Sequence, residues 1–126
     1  MTAAAHIKLK IQLMCGEEIA MGPGKADLLD AIKTHGSISA AGRAMTMSYR
    51  RAWMLVDVMN RCWQEPLVAT SPGSSHGGGA RVTPLGEAVL ADYRALQARL
   101  NIASDCPAHA ALAAAMLAEP RMSQKG

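Results

Sequence analysis

The chain has 126 residues, a net charge of +3 and a pI of about 9.0, and half of its residues are hydrophobic although none is Phe. That length suits one domain with a modest core, and no apolar run approaches the roughly 18 residues of a membrane span. The N-terminus lacks the charged and apolar regions of a signal peptide, so a cytoplasmic protein without membrane contact is expected. Cys15, Cys62 and Cys106 are far apart and odd in number, which predicts reduced, packed thiols rather than a disulfide framework.

Residues 1–6 read as a flexible N-terminus. From Ile7 to Leu13 apolar and polar residues alternate without a fault, which predicts a half-buried strand over 7–13. Glu17 and Glu18 fall in an expected turn as a solvated pair. Pro23 suits the entry to a helix, where its missing N–H costs nothing. Ala26, Leu28, Leu29 and Ile32 then follow at helical spacing over 25–34, with Gly36 as the C-terminal stop.

Ser37 is placed to cap a second helix over 38–45, and Ser48 to cap a third over 49–62. On the third, Ala52, Leu55, Val56, Met59 and Trp63 share one face, and Arg50, Met54, Asp57 and Arg61 the other. Trp63 is expected in the core, Trp53 at its edge, and Asn60 on backbone near the helix end. The short strands 67–70 and 80–83 flank a glycine-rich tip and predict a two-stranded wing. Pro84 opens a long helix over 85–103 with a stripe of Leu85, Val89, Leu96 and Leu100 able to pack or dimerise. An alanine-rich helix over 108–118 and a polar tail follow. The expected domain runs from 7 to 104, with a C-terminal helix and tail over 105–126.

The chemistry lies in two windows without Asp or Glu, 31–56 and 66–86. The first holds the second helix and the first half of the third together with Lys33, Arg43, Arg50 and Arg51, and the second holds the glycine-rich tip and Arg81. Such windows suit a polyanion. A helix laid N-terminus first in the major groove reads base edges with its first turn. There Arg50 or Arg51 can fork onto guanine, while Thr46, Ser48 and Tyr49 donate to phosphates. Ser37, Ser39 and Arg43 on the preceding helix complete that side. In the wing, Ser74, Ser75, His76 and Arg81 offer donors, and Gly77 and Gly78 let backbone approach a phosphate closely. No Gly-Lys-Ser/Thr follows the glycines, which argues against a nucleotide loop. His6, His35, His76 and His109 are isolated, so no metal and no cofactor is expected. No nucleophile has an evident base, so no enzyme is expected either.

The fold class read from this order is mainly α with small β, a winged helix-turn-helix with a long C-terminal dimerisation helix. Gly36-Ser-Ile-Ser-Ala-Ala, Met47-Ser-Tyr-Arg-Arg-Ala-Trp, Met59-Asn60, Pro66-Leu-Val and Gly77-Gly-Gly-Ala-Arg-Val-Thr-Pro-Leu-Gly86 carry a resemblance. Over about 7–103 the chain resembles the N-terminal DNA-binding domain of ModE-type molybdate-responsive repressors and, more broadly, the LysR-type winged helix. The resemblance implies a homodimer on a palindromic operator in double-stranded DNA. It places Ser48, Tyr49, Arg50 and Arg51 on the recognition helix and wing contacts between Ser74 and Arg81. Full-length members carry C-terminal repeats of oligonucleotide-binding type that hold molybdate or tungstate. The present sequence ends at Gly126 in alanine-rich helix, so a stand-alone regulator linked to molybdenum metabolism is expected, without molybdate sensing of its own. Two alternatives stay open: a winged-helix protein-interaction module, and a molybdate-binding protein without direct DNA binding.

Overall fold

A computed structural model describes residues 6–71 and 78–125. The described residues form two short antiparallel hairpins and five helices. In chain order these are β1 (Leu13–Cys15), β2 (Glu18–Met21), α1 (Pro23–His35), α2 (Ile38–Ala44), α3 (Tyr49–Cys62), β3 (Val68–Thr70), β4 (Ala80–Val82), α4 (Pro84–Ala103) and α5 (Pro107–Ala115). Lys10–Ala95 make one compact unit; the described remainder, 6–9 and 96–125, belongs to a second. No described helix is long and apolar enough to cross a membrane.

The helix ends follow from local chemistry. Pro23 starts α1, and Gly36 ends it in the left-handed region (φ 77°) with its N–H on the Ile32 carbonyl at 2.8 Å. The Ser37 hydroxyl caps α2 by accepting from Ala40 N at 3.0 Å, and Ser48 caps α3 by accepting from Arg51 N at 3.1 Å. Thr83 caps α4, its hydroxyl accepting from Gly86 N at 3.0 Å while donating to the Pro66 carbonyl at 2.7 Å.

The core of the first unit is built from α1 (Leu28, Leu29, Ile32), α3 (Ala52, Val56, Met59), Met21, Leu67, Leu90 and Tyr93. The expected inner face of α3 is the observed one, with Leu55 and Trp63 partly buried against it. The Trp63 indole donates to the Ala20 carbonyl at 3.1 Å. Asn60 bonds backbone, but the backbone of the next hairpin: its Oδ1 accepts from Leu67 N (2.9 Å) and Val68 N (3.1 Å).

Four expectations change. The strand expected over 7–13 contributes only Leu13, and residues 7–12 have no regular structure. Alternation defines a face but not a partner. The partner, β2, ends at Met21, where Gly22 and Pro23 turn the chain into α1, so no described strand pairs with the earlier residues. Within the expected turn, Gly16 and Glu17 make the bend and Glu18 is the first residue of β2. On α4 the buried face is Gly86, Leu90 and Tyr93, with Leu85 and Val89 packed at its edge and Leu96 and Leu100 each 38% exposed. A Cβ at Gly86 would land on the Leu67 carbonyl and the Val82 side chain, so this glycine turns its own face of the helix inward. Finally, Cys15 and Cys106 are exposed rather than packed, and Cys62 is half-buried. Burial first and the neighbouring Cys15 second push the Cys62 thiol up.

Candidate nucleic-acid interface

Two capped helices and a hairpin meet around a cleft of about 660 Å³. Helix α2 crosses α3 closely: a Cβ on Gly42 would sit 3.2 Å from the Ala52 methyl. The four residues between the helices turn through Thr46, whose φ of 54° is in the left-handed region that favours glycine. Backbone bonds from Thr46 N to Arg43 O (3.1 Å) and Met47 N to Gly42 O (2.9 Å) hold the turn. This fixes the start of α3 relative to the whole of α2.

The hairpin is tied to the same place. Ala80 N donates to the Gly36 carbonyl at 2.8 Å, and Ser71 N to the Gly79 carbonyl at 2.8 Å. The β3–β4 register pairs Val68 with Val82, Ala69 with Arg81 and Thr70 with Ala80. The cleft therefore has Ser37, Ser39 and Arg43 from α2 on one side, Tyr49 and Trp53 from α3 on another, and Thr70, Ser71 and Gly78 from the hairpin on a third.

Of the residues expected to form the site, Ser37 is committed to its cap, and Ser39 accepts from the Arg43 guanidinium at 2.9 Å. Ser48 is also a cap, exposed at the start of α3. Thr46, Tyr49, Arg50, Arg51 and Arg81 are exposed, and among the described residues no acid is paired with Arg50, Arg51 or Arg81. Gly78 is exposed beside the cleft. Ser74, Ser75, His76 and Gly77 lie outside the described residues.

Four acids elsewhere in this unit, Asp27, Asp30, Asp57 and Glu87, are already paired. Arg94 binds Asp27 (2.9 Å) and Asp30 (2.7 Å), and Asp57 binds Arg61 at 2.9 Å one turn on, which holds that guanidinium above its ordinary pKa. Lys33 is one correction to the linear picture. It sits in an acid-free stretch of sequence, yet Glu87 from α4 reaches it at 3.2 Å. Its charge is therefore partly spent inside the fold, unlike that of Arg50 and Arg51.

Sequence reasoning placed Trp53 at the edge of the core; the structure makes it a wall of the cleft. Its indole N–H donates to the Tyr49 hydroxyl, and the two rings meet edge to face with centroids 6.4 Å apart and planes at 79°. The four-residue spacing of two aromatics on one helix was the available signal. Thr70 and Ser71 were also missed, because nothing local says that β3 ends beside α2. Among the described residues no group of three His, Cys, Asp or Glu could hold a metal ion.

No protein-family model matches the chain. It is similar to the "Molybdenum-pterin-binding protein MopA" of Rhodobacter capsulatus, 40% identical over 81 residues (64% of this chain and 31% of that protein). It is also similar to the "Molybdenum transport protein ModE" of Azotobacter vinelandii, 38% identical over 86 residues (68% and 32%). A third relative is the "DNA-binding transcriptional dual regulator ModE" of Escherichia coli K12, 31% identical over 93 residues (74% and 34%). The chain thus spans about a third of the length of the curated relatives it matches. Those relatives are molybdenum-related and regulatory proteins, and none of the three names is that of an enzyme.

Proposed function

We propose that this chain is a sequence-specific, DNA-binding transcriptional regulator linked to molybdenum metabolism, with α2 and α3 as a helix-turn-helix and β3–β4 as its wing. The observation that carries the reading is the outward start of α3, where Arg50 and Arg51 are exposed without acidic partners among the described residues. A guanidinium that is not held by a carboxylate is available to fork onto guanine O6 and N7. Around it, Thr46, Tyr49, Ser71 and Arg81 supply donors for phosphates, which fix register without reading sequence. The name of the Escherichia coli relative supports the DNA, and the names of the Azotobacter and Rhodobacter relatives support the link to molybdenum.

One copy offers few base contacts, and a homodimer over two half-sites roughly 34 Å apart supplies the rest. Exposed Leu96 and Leu100 on α4 support that helix as part of the dimer face. The test is selection of duplexes from a random pool with the purified chain, followed by salt titration. Arg50→Ala or Arg51→Ala should lose about 1–3 kcal/mol of discrimination at one base pair per half-site. Arg81→Ala should weaken all duplexes alike and lower the salt slope by about 1. Parent chain that shows no salt-dependent duplex binding rejects the reading.

A second reading is a molybdate-binding protein without direct DNA binding, supported by the name of the Rhodobacter relative, a molybdenum-pterin-binding protein. Calorimetry with molybdate separates it, and no heat of binding is expected from this chain.

A further inference from the structure

The outward face of α3 carries more apolar surface than a solvated helix needs. Tyr49 is 57% exposed, Trp53 37% and Met54 59%, all within the first two turns. Their neighbours are Arg50 and Arg51, and the acid nearest along the face, Asp57, is taken by Arg61. Trp53 has already given its single N–H to the Tyr49 hydroxyl, so the indole offers its partner ring surface rather than a hydrogen bond. Met54 follows Arg50 by one turn and shares its face. A mate for this strip must be anionic around its edges and apolar at particular spots. The major groove has that character: phosphates form its walls, and the 5-methyl group of thymine is the apolar group among its base edges.

We propose that Met54 reads thymine, packing its thioether on the 5-methyl group beside the guanine that Arg50 takes. This rests on the reading of α3 as the recognition helix. Four residues of helix advance about 6 Å, and bases on a strand are spaced about 3.4 Å, so the thymine lies one or two steps from that guanine. A flexible, polarisable side chain suits a target that is small and set among polar edges. The Tyr49–Trp53 pair, rigid through its own hydrogen bond, walls off water on the side facing the cleft.

The experiment uses the full chain and the duplexes it selects, with each thymidine replaced in turn by deoxyuridine. Uracil keeps the hydrogen-bonding edge and loses the methyl alone. One position per half-site should bind about fourfold more weakly, the worth of one buried methyl-sized group. Met54→Ala should erase that difference while leaving the salt slope unchanged, and Met54→Leu should retain part of it. Met54→Gln adds a readout that a structural role would not move: an amide at this position should favour adenine where the parent chose thymine. Uracil duplexes that bind like thymine duplexes throughout, or a uracil penalty that survives in Met54→Ala, would overturn the assignment. Absence of any salt-dependent duplex binding by the parent rejects the DNA reading itself, and this assignment with it; duplex binding without a uracil effect rejects only the role of Met54.

Discussion

Asn60 treats Val68 as a neighbouring strand would: its Oδ1 accepts from Val68 N at 3.1 Å while its Nδ2 donates to the Val68 carbonyl at 3.0 Å. Leu67 N makes a third bond to the same oxygen at 2.9 Å. One side chain near the end of α3 thus sets where β3 starts, and through the β3–β4 register it places Arg81.

Asn60→Ala leaves three backbone groups of the buried Leu67–Val68 segment without partners. Each such loss costs about 1–3 kcal/mol, so a drop of about 3 kcal/mol or more in urea unfolding is expected. Asn60→Asp keeps the acceptor and removes the donor, and its carboxylate faces the Val68 carbonyl at neutral pH. Its defect should shrink toward acid pH, where a protonated carboxyl donates again. A fall below about 1 kcal/mol for the alanine variant would contradict this role.

Gly86→Ala should lose about 1–3 kcal/mol, because the added methyl meets the Leu67 carbonyl, which is backbone and cannot rotate away. The thermal midpoint measures it. An unchanged midpoint would mean that α4 can slide off the hairpin.

Thr46 holds a β-branched side chain at φ 54° in the turn before α3. That conformation costs roughly 1–2 kcal/mol, whereas glycine adds about 0.5–1 kcal/mol of unfolded-state entropy. Thr46→Gly should therefore match the parent in stability or exceed it by up to about 1.5 kcal/mol, and should bind duplex more weakly if the hydroxyl meets a phosphate. Melting and titration of the same preparation check both halves; a clearly lower midpoint would refute the strain.

Lys25 is 8% exposed near the start of α1, and burial pushes its ammonium below the ordinary lysine pKa. A base with a lowered folded pKa binds fewer protons folded than unfolded, so it makes stability rise with pH between the folded and unfolded values. Cys62 and Tyr93 are pushed the other way by burial and oppose that rise. The comparison of the parent with Lys25→Met isolates the lysine: the variant should be more stable at neutral pH, and its advantage should shrink on the alkaline side. An advantage that grows with pH would reverse the assignment.

Much of the helical frame is legible locally. Ser37, Ser48 and Gly36 act on backbone groups three or four residues away, so their effect is written in adjacent sequence. The inner face of α3 follows from helical period alone. The period-two pattern before Leu13 is equally clear, yet a strand forms only where a second one lies beside it. Likewise the inward face of α4 turns on Gly86, whose closeness to Leu67 no local pattern declares.

By itself, then, the order of residues determined the helices, their caps, the basic first turn of α3 and the existence of a second hairpin, because each depends on contacts within one turn or one bend. Tertiary structure alone decided which cations stay available. Glu87 takes up Lys33 from 54 positions away, while Arg50 and Arg51 meet no described acid. It also decided that Ala80 bonds Gly36 and so sets the hairpin beside α2. Charge pairing depends on distance in space, and sequence separation says little about that until the chain has packed.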